Sequence, residues 1–255
     1  MIDLESLIET AKKASIAAGA EILKIYESGD FNVESKADDS PLTRADKAAH
    51  NKIVSFLKET NIPILSEEGR NIPYEERSKW EYFWMVDPLD GTKEFIKRNG
   101  EFTVNIALIN KGIPIMGVVY PPVLGELYWG LKDKGAFKEM NGSVDNLKVS
   151  NRSLTDIGLK VVASRSHMSD QTQEFVNSLK DPEVVSKGSS LKFLLVASGD
   201  ADVYPRFGPT MEWDTAAAHA IVSEAGGSVV QEDEVTPLEY NKPNLLNPNF
   251  IVLPY

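Results

Sequence analysis

The stretch Trp84-Met85-Val86-Asp87-Pro88-Leu89-Asp90-Gly91-Thr92-Lys93-Glu94-Phe95 concentrates the most potential chemistry in the chain. An apolar strand is expected to end at Asp87. Pro88 fixes φ and bends the backbone, so Asp87 and Asp90 can share one side of a tight turn. Gly91 lets backbone approach a ligand, and Thr92 stands where a helix would open with free N–H groups able to hold an anion. Two carboxylates beside an anion site are the ingredients of metal-plus-phosphate chemistry. The same acids would serve equally well as caps for the N–H groups of a turn.

Other acids carry the same ambiguity. Glu67 and Glu68 follow the apolar run Ile62-Pro63-Ile64-Leu65-Ser66, where a solvated loop is the alternative. Asp214 falls in the first turn of an Ala-rich helix, which it would stabilise by ~0.3–1 kcal/mol through the helix dipole. Asp46 follows Thr43 at capping-box spacing. Candidate cationic and hydroxyl groups lie later, in Ser164-Arg165-Ser166-His167, in Lys187-Gly188-Ser189-Ser190-Leu191-Lys192 and at Arg206. Ordinary surface polarity is the alternative for His167 and Lys192, and pairing with an acid for Arg206. The chain has no Cys and 3 His, which excludes thiol catalysis and disfavours a His-rich zinc site. A metal here would be held by carboxylates, as suits Mg²⁺ or another hard cation.

The 27 Lys+Arg against 38 Asp+Glu leave a formal charge of −11 over 255 residues. That balance argues against long nucleic acid, whose binding rests on cationic contacts to phosphate. A small phosphorylated ligand is compatible, provided metal ions or a few placed cations offset its charge locally. No apolar run approaches the ~20 residues of a membrane span. The acidic start Met1-Ile2-Asp3-Leu4-Glu5 lacks the form of a signal peptide. The expected location is cytoplasmic, with peripheral attachment to the inner face of the cell membrane left open. The oligomeric state is also left open.

These groups must be carried by folded elements. Leu4, Leu7, Ile8, Ala11, Ala14, Ala18 and Ile22 recur at helical spacing, predicting a helix over 4–26. Ala49, Ile53, Phe56 and Leu57 predict another over 44–60, capped by Thr43. Strands are expected at 62–66, 82–86, 102–109, 113–120 and 126–130, giving an α+β half with an antiparallel sheet. Beyond residue 150 the pattern alternates. Strands are expected at 160–163, 228–230, 250–253 and near Val184 and Val203, with helices at 170–179, 190–198 and 214–225. Such alternation predicts helices on both faces of a mixed or mainly parallel sheet. The boundary is placed near 150, with an α+β unit over 1–150 and an α/β unit over 151–255. His219 reads as structural, and Trp80, Trp84 and Trp129 as packing residues.

In combination, Leu65-Ser66-Glu67-Glu68-Gly69, Val86-Asp87-Pro88-Leu89-Asp90-Gly91-Thr92 and Trp213-Asp214-Thr215-Ala216-Ala217 resemble, in order, the motifs of the lithium-sensitive, magnesium-dependent phosphomonoesterases related to inositol monophosphatase. Within them the chain looks most like the bacterial 3′(2′),5′-bisphosphate nucleotidases. Lys93-Glu94-Phe95 favours that branch, since the inositol enzymes usually carry small polar residues at the first two positions. The likeness spans nearly the whole chain. It implies the layered α-β-α-β-α sandwich shared with fructose-1,6-bisphosphatase.

By that resemblance Glu67, Asp87, Asp90, Asp214 and the Leu89 carbonyl would hold Mg²⁺. Asp46, Thr92 and Glu67 would form the catalytic set, with the Asp46–Thr92 pair activating water. The N–H groups of Gly91 and Thr92 would bind the scissile phosphate, and Ser164, His167, Ser189, Lys192 and Arg206 the rest of a nucleotide. The charge of four carboxylates and a phosphomonoester of about −2 calls for two or three Mg²⁺ ions. The implied reaction is removal of the 3′-phosphate of adenosine 3′,5′-bisphosphate, with the related sulfate-activated nucleotide as a further substrate, in sulfate assimilation. Alternatives are an inositol monophosphatase, a fructose-1,6-bisphosphatase, or a non-catalytic sensor of nucleotide or metal.

Overall fold

The computed structural model describes residues 2–29, 31, 34–35, 41–69, 71–163 and 168–255. Helix α1 (Leu4–Ser28) starts at Asp3, whose carboxylate accepts from Ser6 N, and stops at Gly29 with φ of 73°. Two short antiparallel strands, β1 (Glu34–Ser35) and β2 (Pro41–Leu42), precede α2 (Arg44–Leu57). Then follow β3 (Ile64–Ser66), the single-turn helix α3 (Tyr74–Arg77), β4 (Tyr82–Asp90), the short α4 (Thr92–Ile96) and β5 (Thr103–Asn110). Strands β6 (Ile113–Tyr120), β7 (Leu127–Leu131), β8 (Gly135–Met140) and β9 (Ser143–Asn146) complete the first sheet. The second half holds β10 (Lys160–Val162), α5 (Asp170–Ser178), β11 (Glu183–Val185), α6 (Leu191–Ala197), β12 (Tyr204–Arg206), α7 (Glu212–Glu224), β13 (Ser228–Gln231) and β14 (Phe250–Leu253).

Among the described residues, seven strands form one sheet in the order β3-β4-β5-β6-β7-β8-β9, antiparallel except for the β3–β4 pair. Alternation along its strands sorts side chains onto two faces. Trp84, Val86, Ile106, Leu108 and Val118 face α1 and α2, packing on Ala11, Ala18, Ile22, Ala49 and Ile53. Phe83, Met85, Ala107, Ile109 and Val119 face the other way, onto α6 and α7. The far side of those helices meets Val162, Tyr204, Val229, Phe250 and Val252. Val161, Val203, Val230, Ile251 and Leu253 point outward against Val176 and Phe175 of α5. The order of layers is therefore helix, sheet, helix, sheet, helix.

The second sheet is mixed. Strands β12-β14-β13 are antiparallel, β10 and β11 are parallel, and a parallel bridge between Val161 and Val203 joins the two groups. The sequence reading does not include the β1–β2 pair or α3, and two further details differ from it. Strand β4 does not end at Asp87 but runs on to Asp90, and the hairpin β8–β9 follows β7. The hairpin's second strand is exposed throughout, so it lacks the apolar alternation by which strands are recognised.

Helix α7 lies unusually close to the large sheet. A Cβ on Gly117 would stand 2.0 Å from Ala217 O, and one on Gly130 would stand 2.9 Å from Ile221 Cα. Glycine at these two sheet positions, with Ala216, Ala217 and Ala218 on the helix, brings α7 and its Asp214 down beside β4, β5 and β6.

Candidate active site

The register of β4 against β5 brings the first two acids together. Asp87 pairs with Asn105 and Asp90 with Thr103, with a register shift between them. In a regular strand, residues three apart face opposite sides of the sheet. One extra residue in β4 forms a bulge, and Asp87 and Asp90 then share the face of Asn105 and Thr103. Pro88, which has no N–H to give a ladder, sits in that bulge. Leu89 N bonds back to Asp87 Oδ1 at 3.0 Å.

Asp90 is the hub between the two halves of the chain. Its Oδ2 accepts from Ser189 Oγ at 2.5 Å, Ser190 N at 2.7 Å and Ser190 Oγ at 2.8 Å. The Ser190 hydroxyl also lies 2.9 Å from Asp214 O, tying the start of α7 to the same point. Ser189 Oγ is 2.7 Å from Thr103 Oγ1, and Asn105 Nδ2 donates to Ser190 Oγ at 2.9 Å. Ser189 has a left-handed φ of 50°, which turns its side chain back onto β4 and β5.

Asp46 is held from both sides. Its Oδ2 accepts from Thr43 N at 2.8 Å and Thr43 Oγ1 at 2.5 Å, forming the cap of α2. Its Oδ1 accepts from Thr92 Oγ1 at 3.3 Å, and Thr92 Oγ1 lies equally far from Leu89 O. The cap and the bond to Thr92 thus use different oxygens of one carboxylate. Gly91, at φ 91°, turns the chain between Asp90 and Thr92, and a Cβ there would meet Glu101 O at 3.1 Å.

The electrostatics point to a cation. Asp87 is only 2% exposed. Burial pushes its carboxyl well above the usual range, and Glu67, Asp90, Asp214 and Asp46 push it further. Asp214 is raised in the same way, by burial first and by Asp90 next, against the opposing bond from Met211 N to its Oδ2 at 2.9 Å. Glu67 contributes from the single turn Glu67–Gly69 that follows β3. Its neighbour Glu68 acts electrostatically on His50, whose Nδ1 is 2.9 Å from Ser66 Oγ. Among the described residues, no three acids or imidazoles already form a metal cage. Asp90 Oδ2 is turned to the Ser189–Ser190 turn and Asp214 Oδ2 to its own helix cap. The donor set is nevertheless all oxygen and strongly anionic, and the mutual repulsion of buried carboxylates is what a hard divalent cation relieves. The residues present fit Mg²⁺.

A cavity of about 230 Å³ opens beside this cluster, walled by Asp90, Gly91, Asp214, Ser189, Lys192 and Arg206, with Tyr204 and Phe250 at its apolar end. Lys192 Nζ donates to Ser189 O at 3.0 Å and stands 5.8 Å from the Tyr204 ring centre. Burial pushes its ammonium pKa down. Arg206 Nη2 donates to Pro209 O at 3.1 Å, while its buried Nε has no hydrogen-bond partner. Two cations and two carboxylates line one space, an arrangement that suits a ligand with two anionic groups once the acids are neutralised. Ser164 and His167 lie outside the described residues. Ser190, Thr103 and Asn105 were not singled out in the sequence. The Ser189-Ser190 pair after Gly188 hinted at Ser190, but nothing local marked the other two.

Residues 3–251 match the model of the inositol monophosphatase family. The 3′(2′),5′-bisphosphate nucleotidase CysQ of Escherichia coli O157:H7 is 48% identical over 242 residues, covering 93% of this chain and 96% of that protein. Its Salmonella typhimurium namesake is 46% identical over 256 residues, covering 99% and 100%. Among solved structures, CysQ from Bacteroides thetaiotaomicron, a bacterial member of the inositol monophosphatase family, superposes with a TM-score of 0.87 at 46% identity, covering 98% of each chain.

Proposed function

We propose, from the premise that this chain belongs to the inositol monophosphatase family, that it is a 3′(2′),5′-bisphosphate nucleotidase. It hydrolyses the 3′-phosphate of adenosine 3′,5′-bisphosphate to AMP and phosphate, and accepts the related sulfate-activated nucleotide. The observation that carries this reading is the shared cavity, which Asp90 and Asp214 line together with Lys192 and Arg206. A monophosphate needs only the acidic end, whereas a bisphosphate uses both. The identity of nearly half the residues with named nucleotidases supports the same choice over inositol phosphates and fructose bisphosphate.

Glu67, Asp87, Asp90, Asp214 and the Leu89 carbonyl would hold two or three Mg²⁺ ions. Bound there, Mg²⁺ supplies positive charge that eases the deprotonation of water and the departure of the alkoxide. The chain's own groups do the rest. Thr92 Oγ takes a proton from the attacking water as it passes its own to Asp46 Oδ1, so the pair acts as general base. Water attacks in line, without a phosphoenzyme. The N–H groups of Gly91 and Thr92 hold oxygens of the scissile phosphate. Ser189, Lys192 and Arg206, with Ser164 and His167, hold the nucleotide and its second phosphate. In this division residues 1–150 supply most metal ligands, and residues 151–255 supply Asp214 and the nucleotide contacts. Cytoplasmic residence fits the substrate, and among the described residues no helix is long and apolar enough to cross a membrane.

The test is phosphate release from adenosine 3′,5′-bisphosphate, an inositol monophosphate and fructose 1,6-bisphosphate in parallel, with Mg²⁺, with EDTA, and with added Li⁺. The expected result is preference for the nucleotide, dependence on Mg²⁺ and inhibition by Li⁺. Nucleotide binding without phosphate release would revive the sensor, and preference for either sugar phosphate would refute the nucleotidase reading.

A further inference from the structure

Glu212 stands two residues before Asp214 at the start of α7 and is 0% exposed. Its carboxylate points away from the cavity, toward the segment that leads to β14. One oxygen accepts from Asn241 N at 2.5 Å. The other accepts from Lys242 N at 3.0 Å and from Lys242 Nζ at 2.6 Å. The turn so held is gripped from its other side by Arg77 of α3, itself 3% exposed. Arg77 donates to Asn241 Oδ1, Lys242 O and Pro243 O at 2.7–3.1 Å. Asn241, at a left-handed φ of 69°, returns a bond from its Nδ2 to Arg77 O at 2.8 Å. Tyr240 N fastens the same turn to Gly112 O, between β5 and β6.

A fully buried carboxylate paired with a part-exposed ammonium is a poor means of gaining stability, because desolvation of the carboxylate offsets much of the attraction. Its value lies in direction. Two backbone N–H groups and one ammonium converge on a single side chain and leave it one orientation. The backbone of the same segment then closes on the helix entry: Glu212 N bonds to Leu245 O, and Asn247 N to Thr210 O. Asn247 Nδ2 reaches Met211 O at 2.9 Å, the residue whose N–H holds Asp214 Oδ2.

We propose that Glu212 is a positioning residue for the acid cluster: by locking the 240–243 turn, backed by Arg77, to the first turn of α7, it sets where Asp214 stands relative to Asp87 and Asp90. The proposal rests on the reading of Asp214 as a metal ligand. It gives Glu212 no contact with substrate.

The test is calorimetric titration of Mg²⁺ into the purified full chain without substrate, for wild type, Glu212→Gln, Lys242→Met and Asp214→Asn, with melting of each in EDTA. Loss of such an outer partner should weaken Mg²⁺ binding by about ten- to hundredfold in Glu212→Gln, and by about threefold or more in Lys242→Met. Both should keep a cooperative transition in EDTA. A folded Glu212→Gln with wild-type affinity overturns the proposal. If that variant does not fold, Lys242→Met decides in the same way. A loss of affinity that only tracks a lowered melting temperature marks a merely structural role and also overturns it. Asp214→Asn separates the two layers of inference. Wild-type affinity in that variant refutes Asp214 as a ligand and takes the proposal with it. Weak binding there beside normal binding in Glu212→Gln refutes the positioning role alone.

Discussion

Thr92 Oγ1 donates to Asp46 Oδ1 at 3.3 Å, joining the helix that opens after the Asp87–Asp90 bulge to the first turn of α2. Asp46 Oδ2 accepts from Thr43, and in the proposed mechanism Oδ1 takes the proton relayed through the hydroxyl. Asp46→Asn keeps an acceptor for the cap but removes the base. At saturating Mg²⁺, kcat for adenosine 3′,5′-bisphosphate should fall by about 10²–10⁴ with the fold intact. Steady-state phosphate release together with circular dichroism checks both halves of this expectation.

Asp87→Asn removes one charge from a buried cluster of like charges. Without metal the variant should melt above wild type, because repulsion between carboxylates is relieved. With Mg²⁺ the order should reverse, since wild type gains binding energy that the variant lacks. Thermal melts in EDTA and in excess Mg²⁺ decide it. A wild-type protein indifferent to Mg²⁺ would rule out the cluster as a cation site.

Gly117→Ala forces a Cβ into the carbonyl of Ala217. The helix must lift from the sheet, at a cost of about 1–3 kcal/mol. Urea unfolding measures that cost. Activity should fall by more than the folded fraction does, because the same lift displaces Asp214.

Lys192 and Arg206 are expected to hold the second phosphate. A hydrogen bond to a charged group contributes about 1.5–3 kcal/mol, so Lys192→Met or Arg206→Met should raise KM for the bisphosphate about 10- to 100-fold. The KM for 3′-AMP, which lacks the 5′-phosphate, should move little. Equal effects on both substrates would place these cations at the scissile phosphate instead.

His219 is buried with Nδ1 2.9 Å from Tyr240 Oη, and burial lowers its pKa to about 4. An unfolded chain protonates this imidazole near 6.5, so in the interval between the two values it binds a proton that the native state refuses. The stability due to neutral His219 is complete above about pH 6.5 and is lost as pH falls toward 4, by up to about 1.4 kcal/mol per unit. His219→Gln can still bond Tyr240 and should show a shallower decline. Urea unfolding at about pH 7.5, 6 and 5 compares the two slopes; parallel slopes would contradict the burial argument.

Much of this molecule is legible in one dimension because its signals are local. The stripe from Leu7 to Ile22 marks α1, Thr43 with Asp46 marks the start of α2, and the unbroken apolar run from Phe83 to Val86 marks β4 as a strand buried on both faces. The acids of the site announce themselves through Pro88, Gly91 and the Ala-rich run after Trp213. What stays hidden depends on partners distant in the chain. Thr103 and Asn105 look like any polar residues of a strand until the β4 register sets them opposite Asp90 and Asp87. Glu212 falls just before the helix expected at 214–225, and only the fold delivers Asn241 and Lys242 to it. Strand β9 is solvated on both sides and so carries no periodicity.

The extra residue in β4 carries a lesson for comparing chains of this kind. A relative that had lost Leu89 alone would retain all four acids and would still look intact to anyone counting them. Its regular strand would keep Asp87 and Asp90 on one face, two residues apart, but would lose the Leu89 N–H that bonds Asp87 Oδ1 and the Leu89 carbonyl beside Thr92 Oγ1. In this architecture, spacing is as much a determinant of chemistry as residue type.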